Sequence, residues 1–276
     1  MVKSRFRFSG PDTDPATDTV WCQGEIHAFL RPPRSPLEPF SGQIPSEAAA
    51  RFGGKVALVV GASRGLGSSL ALTLVAAGAT VIALYSRSSD DAERLQQAAA
   101  HLPGNLVLLQ GDATNPDACR TIRQQILDSH GRLDWLVCSA SAALQPLHIE
   151  PSAFERISQF LSHGLALTLA PLATFLDLLS ESQGAVLLIS SSAVEDPPAV
   201  WPHYVALKCA LEGLLRAAAA DYRKVSFCIA RPKKLQTDMV NTPMGRANAE
   251  DPALAALRIL SQAARDARPG QVSPLA

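Results

Sequence analysis

Apolar residues in this chain form short unbroken runs, and between the runs they recur every three or four positions. Unbroken runs are typical of strands that are buried on both faces of a sheet. They lie at 56–60, 80–85, 106–109, 135–138, 185–189 and 225–230. The intervening segments have the spacing of amphipathic helices, as Leu66, Leu70 and Leu74 show after the first run. This alternation predicts an α/β fold with a doubly wound parallel sheet.

Residues 1–46 differ from the rest of the chain, because seven of the twenty prolines fall there and helical periodicity is absent. Apolar and polar residues alternate at 5–8 and again at 20–28, which is typical of strands. Two interpretations follow: a β-hairpin that packs on the main domain, or a partly ordered leader with a proline-rich linker over 30–45. We therefore divide the chain into a small N-terminal extension, 1–46, and a single main domain, 47–276.

Three glycines, Gly61, Gly65 and Gly67, follow the first predicted strand and precede the first predicted helix. Backbone N–H groups at a helix start, approached without a Cβ, are suited to hold a pyrophosphate. The spacing differs from the G-x-G-x-x-G dinucleotide pattern, and it lacks the Lys-Ser/Thr pair of a P-loop. By itself the cluster is explained equally well by a tight turn, so its interpretation depends on other residues.

The second predicted strand ends at Ser86 and Arg87, where dinucleotide folds often carry the acidic residue that binds the ribose 2′-OH. Arg64 lies inside the glycine turn. Two guanidinium groups near one phosphate site favour NADP(H) over NAD(H). The alternative is that both arginines are ordinary exposed residues.

Tyr204 and Lys208 lie four residues apart in a segment with helical periodicity, so their side chains share a face. A nearby ammonium is expected to lower the pKa of the phenol from about 10 towards neutrality, which makes Tyr204 a workable general acid. Ser191 follows the fifth strand, at the carboxyl edge where such sheets bind ligands, and is placed to hydrogen-bond the same substrate oxygen. Ser139 and Ala140 end the fourth strand and leave room for a flat cofactor ring. Taken singly, these residues also fit a solvated helix face and ordinary turns.

Over residues 52–273 the sequence resembles the short-chain dehydrogenase/reductase family, whose members have the Rossmann fold. The three glycines match the family's cofactor turn. Ser191, Tyr204 and Lys208 match its catalytic set, with the same thirteen-residue interval from serine to tyrosine. The resemblance implies that Tyr204 donates a proton, Lys208 holds the nicotinamide ribose and tunes Tyr204, and Ser191 orients the carbonyl. It also assigns His163 to the place of a helix asparagine that belongs to this set.

The resemblance further implies a site for NADP(H), in which Asp112 contacts the adenine. Thr237, five residues after Pro232, matches the threonine that contacts the nicotinamide carboxamide. The implied cofactor-binding set is Gly61, Ser63, Arg64, Gly65, Leu66, Gly67, Ser86, Arg87, Asp112, Ala113, Ser139, Ala140, Tyr204, Lys208, Pro232 and Thr237.

Several positions depart from the family pattern. The stretch 138–141 reads Cys-Ser-Ala-Ser where the family has Asn-Asn-Ala-Gly, and Lys233 follows Pro232 where the family has glycine. His163 replaces the asparagine that supports a water relay behind the lysine, and an imidazole can still bond a water. The last predicted strand, near Val272, stops short of the family's usual Asp-Gly-Gly. These changes bear on turnover rate and oligomer contacts more than on cofactor binding.

The leading functional prediction is NADPH-dependent reduction of a ketone to a secondary alcohol. The favoured substrate is a 3-oxoacyl thioester of acyl carrier protein or coenzyme A, because the helix over 204–222 resembles that branch of the family. Basic residues near it would face an acidic carrier or a pantetheine phosphate, the alternative being plain surface charge. These are Arg223, Lys224, Arg231, Lys233 and Lys234. Two other functions stay open: reduction of a free polyketide or steroid-like ketone, and nucleotide binding with weak catalysis.

Composition narrows the classes of partner. Twenty-five basic and twenty-five acidic residues cancel, which argues against a nucleic-acid or anionic-membrane partner. Neither a membrane-spanning run nor a secretory h-region is predicted. The five cysteines have irregular spacing, which predicts neither disulfides nor a metal site. We expect a cytoplasmic protein, and the family resemblance implies a homodimer or homotetramer.

Overall fold

The computed structural model describes residues 17–22, 25–30, 43–240 and 248–275, the first two ranges by backbone alone. The strands in these ranges are β1 (Thr17–Cys22), β2 (Glu25–Leu30), β3 (Val56–Val60), β4 (Thr80–Tyr85), β5 (Asn105–Gln110), β6 (Trp135–Cys138), β7 (Ala185–Ile189), β8 (Ser226–Ala230) and β9 (Val272–Leu275). The helices are α1 (Ser46–Phe52), α2 (Gly65–Ala76), α3 (Ser89–Ala99), α4 (Pro116–His130), α5 (Phe154–Ser182), α6 (Pro202–Asp221) and α7 (Pro252–Asp266).

Seven strands form one parallel sheet in the order β5-β4-β3-β6-β7-β8-β9. The first strand of this sheet, β3, lies between β4 and β6, and the chain crosses from one side of β3 to the other after β5. Such a reversal leaves a crevice at the carboxyl ends of the two neighbouring strands, where these folds bind ligands. The predicted doubly wound Rossmann fold is confirmed.

Two apolar cores hold helices on both faces of the sheet, because successive side chains of a strand point to opposite faces. Ala57 and Val59 of β3 join the core that contains residues of α1, α2, α3 and α7. Leu58 and Val60 join the core that contains residues of α4, α5 and α6. The site-bearing helices α2 and α6 therefore lie on opposite faces and meet the sheet near the same edge.

The N-terminal extension differs from the prediction in its strand boundaries. The single strand-like piece predicted at 20–28 is wrong, since β1 and β2 form an antiparallel pair in which Thr17 is opposite Leu30 and Cys22 is opposite Glu25. Gly24, a residue type that favours turns, lies between the two strands in the sequence. The other predicted strand piece, 5–8, lies outside the described residues.

Helix α1 was not predicted, and helix α5 runs for 29 residues. The seven-residue helix α1 was missed because it is too short to show a periodic pattern, and it buries Ala48 and Phe52. Helix α5 includes Pro171 in its interior. Among the described residues, α5 with its preceding turn is the one helix long and apolar enough to cross a membrane, by length and composition alone. Its buried residues from Leu172 onward belong to the core shared with α4 and α6.

Candidate active site

The three glycines of the turn after β3 lie at positions where a side chain would clash with neighbouring atoms or would require a strained backbone. Gly61 has φ +82°, and a Cβ there would lie 2.7 Å from the Cα of Ala140. A Cβ on Gly67 would lie 2.0 Å from the carbonyl oxygen of Gly61. Gly65 has φ +58°, and its Cβ position is 3.4 Å from Thr237 Cγ2. The turn therefore lies in the crevice between β3 and β6 and reaches the loop that carries Thr237.

The start of α2 fits a pyrophosphate. The first N–H groups of a helix have no partner within the helix, and Arg64 supplies no side-chain cap here. By contrast, the Asn115 side chain caps α4 by accepting bonds from Asp117 N and Ala118 N. The N-terminus of α2, approached over glycines, is thus open to an anionic group.

Arg64 is exposed, and its Nη1 lies 4.0 Å from Asp238 Oδ2, one residue beyond Thr237. Ser86 and Arg87 are exposed after β4, where the Ser86 carbonyl accepts a 3.0 Å bond from Gln110 Nε2. The structure thus places Arg64 beside the loop after β8, and it places Arg87 at the end of β4.

Asp112 is exposed after β5. Its Oδ1 accepts hydrogen bonds from Thr114 Oγ1 at 2.7 Å and from Thr114 N at 2.9 Å. These bonds lower the pKa of the carboxyl, and the positive charges of His163 and Arg87 lower it further. Ala113, next to it, is buried.

The remaining predicted cofactor residues surround the same crevice. Ser139 Oγ lies 3.3 Å from the Cβ position of Gly67, and Ser139 N donates to Val60 O at 3.1 Å. Leu66 is buried in the first turn of α2, and Ser63 is partly buried in the glycine turn. Pro232 follows β8, and its carbonyl accepts a 3.1 Å bond from Ser192 N.

Ser191, Tyr204 and Lys208 come together at the carboxyl end of β7. The Ser191 hydroxyl lies beside the Tyr204 phenol and lowers its pKa. Ser191 Oγ also accepts from Ala193 N at 3.2 Å. Lys208 is buried, its Nζ donates to Ile189 O at 2.8 Å, and the same Nζ lies 5.6 Å from the centroid of the Tyr204 ring.

The predicted direction of the Tyr204 pKa is wrong for the chain without cofactor. Burial raises the pKa of this phenol above 10, and the hydrogen bond to Ser191 offsets the rise only in part. Burial also lowers the pKa of Lys208 to about 8, with the neighbouring Cys138 opposing the change. The sequence indicates that Tyr204 and Lys208 share a helix face, but it does not indicate that the fold desolvates the phenol and the ammonium.

His163 has a different environment from the other three residues of the predicted catalytic set. It is exposed on α5, and its charge acts on Asp112. The next residue, Gly164, is buried against α6, where a Cβ would lie 2.3 Å from Leu207 Cδ2. Its role in a water relay stays a prediction.

A buried carboxylate beside this site was not predicted. Glu212, one turn after Lys208, accepts from Ser190 Oγ and from two nitrogens of Arg231. Arg231 also pairs with Glu195, and its side chain is 23% exposed, so most of its charge is already paired within the protein. Its contact with an acidic carrier stays a prediction. The available signal was a glutamate in the apolar stripe of a helix, a position that demands a buried partner.

Aromatic side chains lie next to Tyr204, the candidate catalytic tyrosine. The Trp201 and Tyr204 rings are 6.1 Å apart, edge to face. Between them in the sequence, His203 is buried and meets the Phe160 ring at 4.5 Å. Burial lowers the pKa of His203, so this imidazole is biased towards its neutral form. One side of the site is thus aromatic and largely uncharged.

Comparisons with known proteins agree with this geometry. A family model described as short chain dehydrogenase matches residues 55–251. A tetrahydroxynaphthalene reductase of Pestalotiopsis fici is 28% identical over 212 residues, which cover 74% of this chain and 75% of that protein. A fatty acyl-CoA reductase of Acinetobacter baylyi is 30% identical over 198 residues, which cover 69% of this chain and 64% of that protein.

The fold also matches solved structures. The alcohol dehydrogenase of the archaeon Thermococcus sibiricus, complexed with 5-hydroxy-NADP, superposes with a TM-score of 0.71 at 22% identity. The match covers 80% of this chain and 94% of that one. At this identity the likeness concerns the fold alone.

Proposed function

Because the chain belongs to the short-chain dehydrogenase/reductase family, we propose that it reduces a ketone to a secondary alcohol with NADPH. One observation carries the proposal. Tyr204, Ser191 and Lys208 meet at the carboxyl edge of the sheet, on the edge that also holds the open glycine turn. A phenol, a hydroxyl and an ammonium in this arrangement suit proton transfer to a carbonyl oxygen.

A nicotinamide, when bound, would supply a hydride for the carbonyl carbon. Tyr204 would donate its phenolic proton to the carbonyl oxygen. The raised pKa of Tyr204 keeps that proton in place at neutral pH, as a general acid requires. Ser191 Oγ, which lies beside the Tyr204 hydroxyl, orients the carbonyl oxygen. Lys208, with a pKa of about 8, is mostly an ammonium at pH 7 and favours the tyrosinate left by the transfer.

We propose NADPH rather than NADH because arginines flank the expected nucleotide path. Arg64 lies in the glycine turn and Arg87 at the end of β4, where an acidic residue would instead favour NAD(H). Arg64 pairs with Asp238 only loosely, at 4.0 Å between exposed groups, so it is free to turn to a phosphate.

Two substrate classes are proposed. The first is a 3-oxoacyl thioester. The sequence of α6 and the similarity to a fatty acyl-CoA reductase support this class. The second is a cyclic polyketide ketone, which the likeness to a tetrahydroxynaphthalene reductase favours. The Trp201 ring beside Tyr204 supports the second class, because an indole provides a face for a flat aromatic substrate.

The test follows NADPH oxidation with a panel that contains 3-oxoacyl thioesters, cyclic aromatic ketones and simple aliphatic ketones. Tyr204→Phe should lower turnover at least about a hundredfold, because it removes the general acid. Its NADPH affinity, measured by cofactor fluorescence, should stay unchanged. Tyr222→Phe, which removes a phenol from the other end of α6, is the matched control and should turn over normally.

Unchanged turnover in Tyr204→Phe would eliminate the proposed mechanism. A fluorescence change without NADPH oxidation by any ketone would instead indicate a nucleotide-binding protein with little catalysis. If NADH is oxidised as efficiently as NADPH, the assignment of the two arginines is wrong. Arg64→Met and Arg87→Met would then leave the affinity for NADPH unaltered.

A further inference from the structure

A hydrogen-bonded set behind the site, here called the Glu212 network, consists of Ser190, Glu212 and Arg231. Glu212 Oε1 accepts from Ser190 Oγ at 2.7 Å and from Arg231 Nε at 2.8 Å. Oε2 accepts from Arg231 Nη2 at 2.6 Å. Glu212 and Ser190 are buried, and the Arg231 side chain is only 23% exposed. The carboxylate is therefore held by three directional bonds on its inner side.

Each member of the Glu212 network belongs to a segment that carries a site residue. Ser190 directly precedes Ser191. Glu212 follows Lys208 by one turn of α6, the helix that also carries Tyr204. Arg231 directly follows β8 and begins the loop that leads to Thr237. A single carboxylate thus joins three chain segments whose relative position sets the geometry of the site.

Among the described residues, backbone bonds link the segments after β7 and β8 to each other but do not link either of them to α6. Ser190 N donates to Ala230 O at 2.7 Å, and Ser192 N donates to Pro232 O at 3.1 Å, so the ends of β7 and β8 are linked. Helix α6 meets these strand ends through side chains, namely Lys208 to Ile189 O and Glu212 to Ser190 and Arg231. Among the described residues, the polar contacts left between α6 and the end of β7 without Glu212 would be Lys208 to Ile189 O and the contact of Tyr204 with Ser191 itself.

Stability by itself gives a weak reason for such a set. Replacing a buried ion pair with apolar residues of similar volume is often neutral or stabilising. Unlike apolar contacts, the hydrogen bonds of the ionic set are directional, because each oxygen of Glu212 fixes the position of the donor that it binds. The direction that matters here is that of the Ser190–Ser191 segment relative to α6.

We propose that the Glu212 network is a positioning device that holds Ser191 within hydrogen-bonding reach of Tyr204. This inference rests on the proposed function for its role in turnover, but the geometry it describes exists without substrate. Glu212, Ser190 and Arg231 are positioning residues, because they act through Ser191 and α6 rather than on the carbonyl.

The first test compares turnover and cofactor affinity in Ser190→Ala and in the double variant Glu212→Leu/Arg231→Met. The double variant leaves no buried unpaired charge and should fold with near-normal stability. Both variants should lose about tenfold or more in kcat, because small displacements of a reacting group are costly, with the Kd for NADPH unchanged. Arg216→Met is the matched control: Arg216 bonds the same carboxylate at 2.9 Å from the exposed side and, within the part of the chain that the structure describes, links it to no other segment. It should turn over normally.

The second test needs no turnover. The chain has three tyrosines, so ¹³C labelling at the tyrosine ring carbon that bears the hydroxyl gives few signals, and Tyr204→Phe identifies the one of interest. The charged group beside this phenol is Lys208 on its own helix, and Ser191, two residues after β7, is the hydroxyl partner. Since Ser191 lowers the pKa of Tyr204, both variants should titrate that signal at a higher pH than the wild type, while Arg216→Met leaves it in place.

The outcomes separate the two hypotheses. If none of the ketones causes the wild type to oxidise NADPH, but the Tyr204 signal shifts in both variants, the proposed function fails and the positioning role of the Glu212 network stands. If both variants fold, turn over like wild type and show an unmoved Tyr204 signal, the positioning role is wrong. Should the double variant fail to fold, Ser190→Ala decides, because it unpairs no charge.

Discussion

Two buried charges lie one turn apart on α6 and have opposite surroundings. Lys208 donates to a neutral carbonyl, Ile189 O, and no carboxylate within residues 43–240 and 248–275 forms an ion pair with it. Burial therefore lowers its pKa to about 8. Burial also works to raise the pKa of Glu212, yet Arg231, Ser190 and Arg216 hold that pKa below its ordinary value.

The difference shows which charge the fold keeps for chemistry. A fully paired charge such as Glu212 is satisfied within the protein and has little capacity to respond to a ligand. An unpaired charge such as Lys208 destabilises the folded chain, but it can bind a ribose hydroxyl and respond to a neighbouring tyrosinate. Glu212 therefore supports the site, and Lys208 is held ready for the reaction at a cost in stability.

The largest expected change comes from breaking the paired charge on one side only. Glu212→Leu leaves the guanidinium of Arg231 partly buried with only Glu195 as a partner, so the free energy of unfolding should fall by about 3 kcal/mol. The shift in denaturation midpoint, at unchanged m, measures it. The double variant Glu212→Leu/Arg231→Met should be clearly more stable than this single variant, and equal losses in both would contradict the pairing described here.

Removing the unpaired charge should have the opposite effect. Lys208→Met places an apolar chain of similar length in the same buried position, so it relieves the desolvation of the ammonium and loses one hydrogen bond. The depressed pKa corresponds to about 3 kcal/mol and the bond to about 1, which predicts a gain near 2 kcal/mol at pH 7. Turnover should be lost in the same variant. A less stable Lys208→Met would show that the ammonium is paired in solution.

The gain in Lys208→Met should depend on pH in a defined window. The folded-state pKa of Lys208, about 8, lies below the ordinary value of 10.5, so between these values the unfolded chain binds more protons. Wild-type stability should therefore rise with pH relative to the variant, by about 1 kcal/mol between pH 8 and 9. Urea denaturation of both proteins from pH 7 to 10.5 measures the difference. A difference that stays flat across this window would place the pKa of Lys208 near its ordinary value.

Most of the fold was predictable from the sequence, because a strand buried on both faces is an unbroken apolar run and needs no other information. β3, β4, β6 and β7 have the predicted bounds. The helix α1 was not predictable in this way, since seven residues hold too few turns to show a period. The split of the piece at 20–28 into two strands was missed for a related reason, because a short hairpin shows the same alternation as one strand.

The candidate site was predictable where spacing along one element sufficed. The four-residue interval between Tyr204 and Lys208 puts both side chains on one face of a helix. The cluster of glycines between a predicted strand and a predicted helix indicates a turn. The pKa of Tyr204 was not predictable, because the loss of water around it depends on residues from several segments. Glu212 could be suspected from its place among Leu207, Leu211 and Leu215, but its partners come from two distant strand ends, which no local pattern reports.

The smallest expected effect tests whether the exposed side of Glu212 matters at all. Arg216 bonds Glu212 Oε2 at 2.9 Å, but its side chain is 55% exposed, so water screens the pair and can replace the guanidinium. Arg216→Met should change the free energy of unfolding by no more than about 0.5 kcal/mol. A loss as large as that of Glu212→Leu would mean that the carboxylate depends on both arginines equally. The contrast between a fully paired Glu212 and an unpaired Lys208 would then hold, but the inward direction of the pairing, on which the positioning of Ser191 depends, would not.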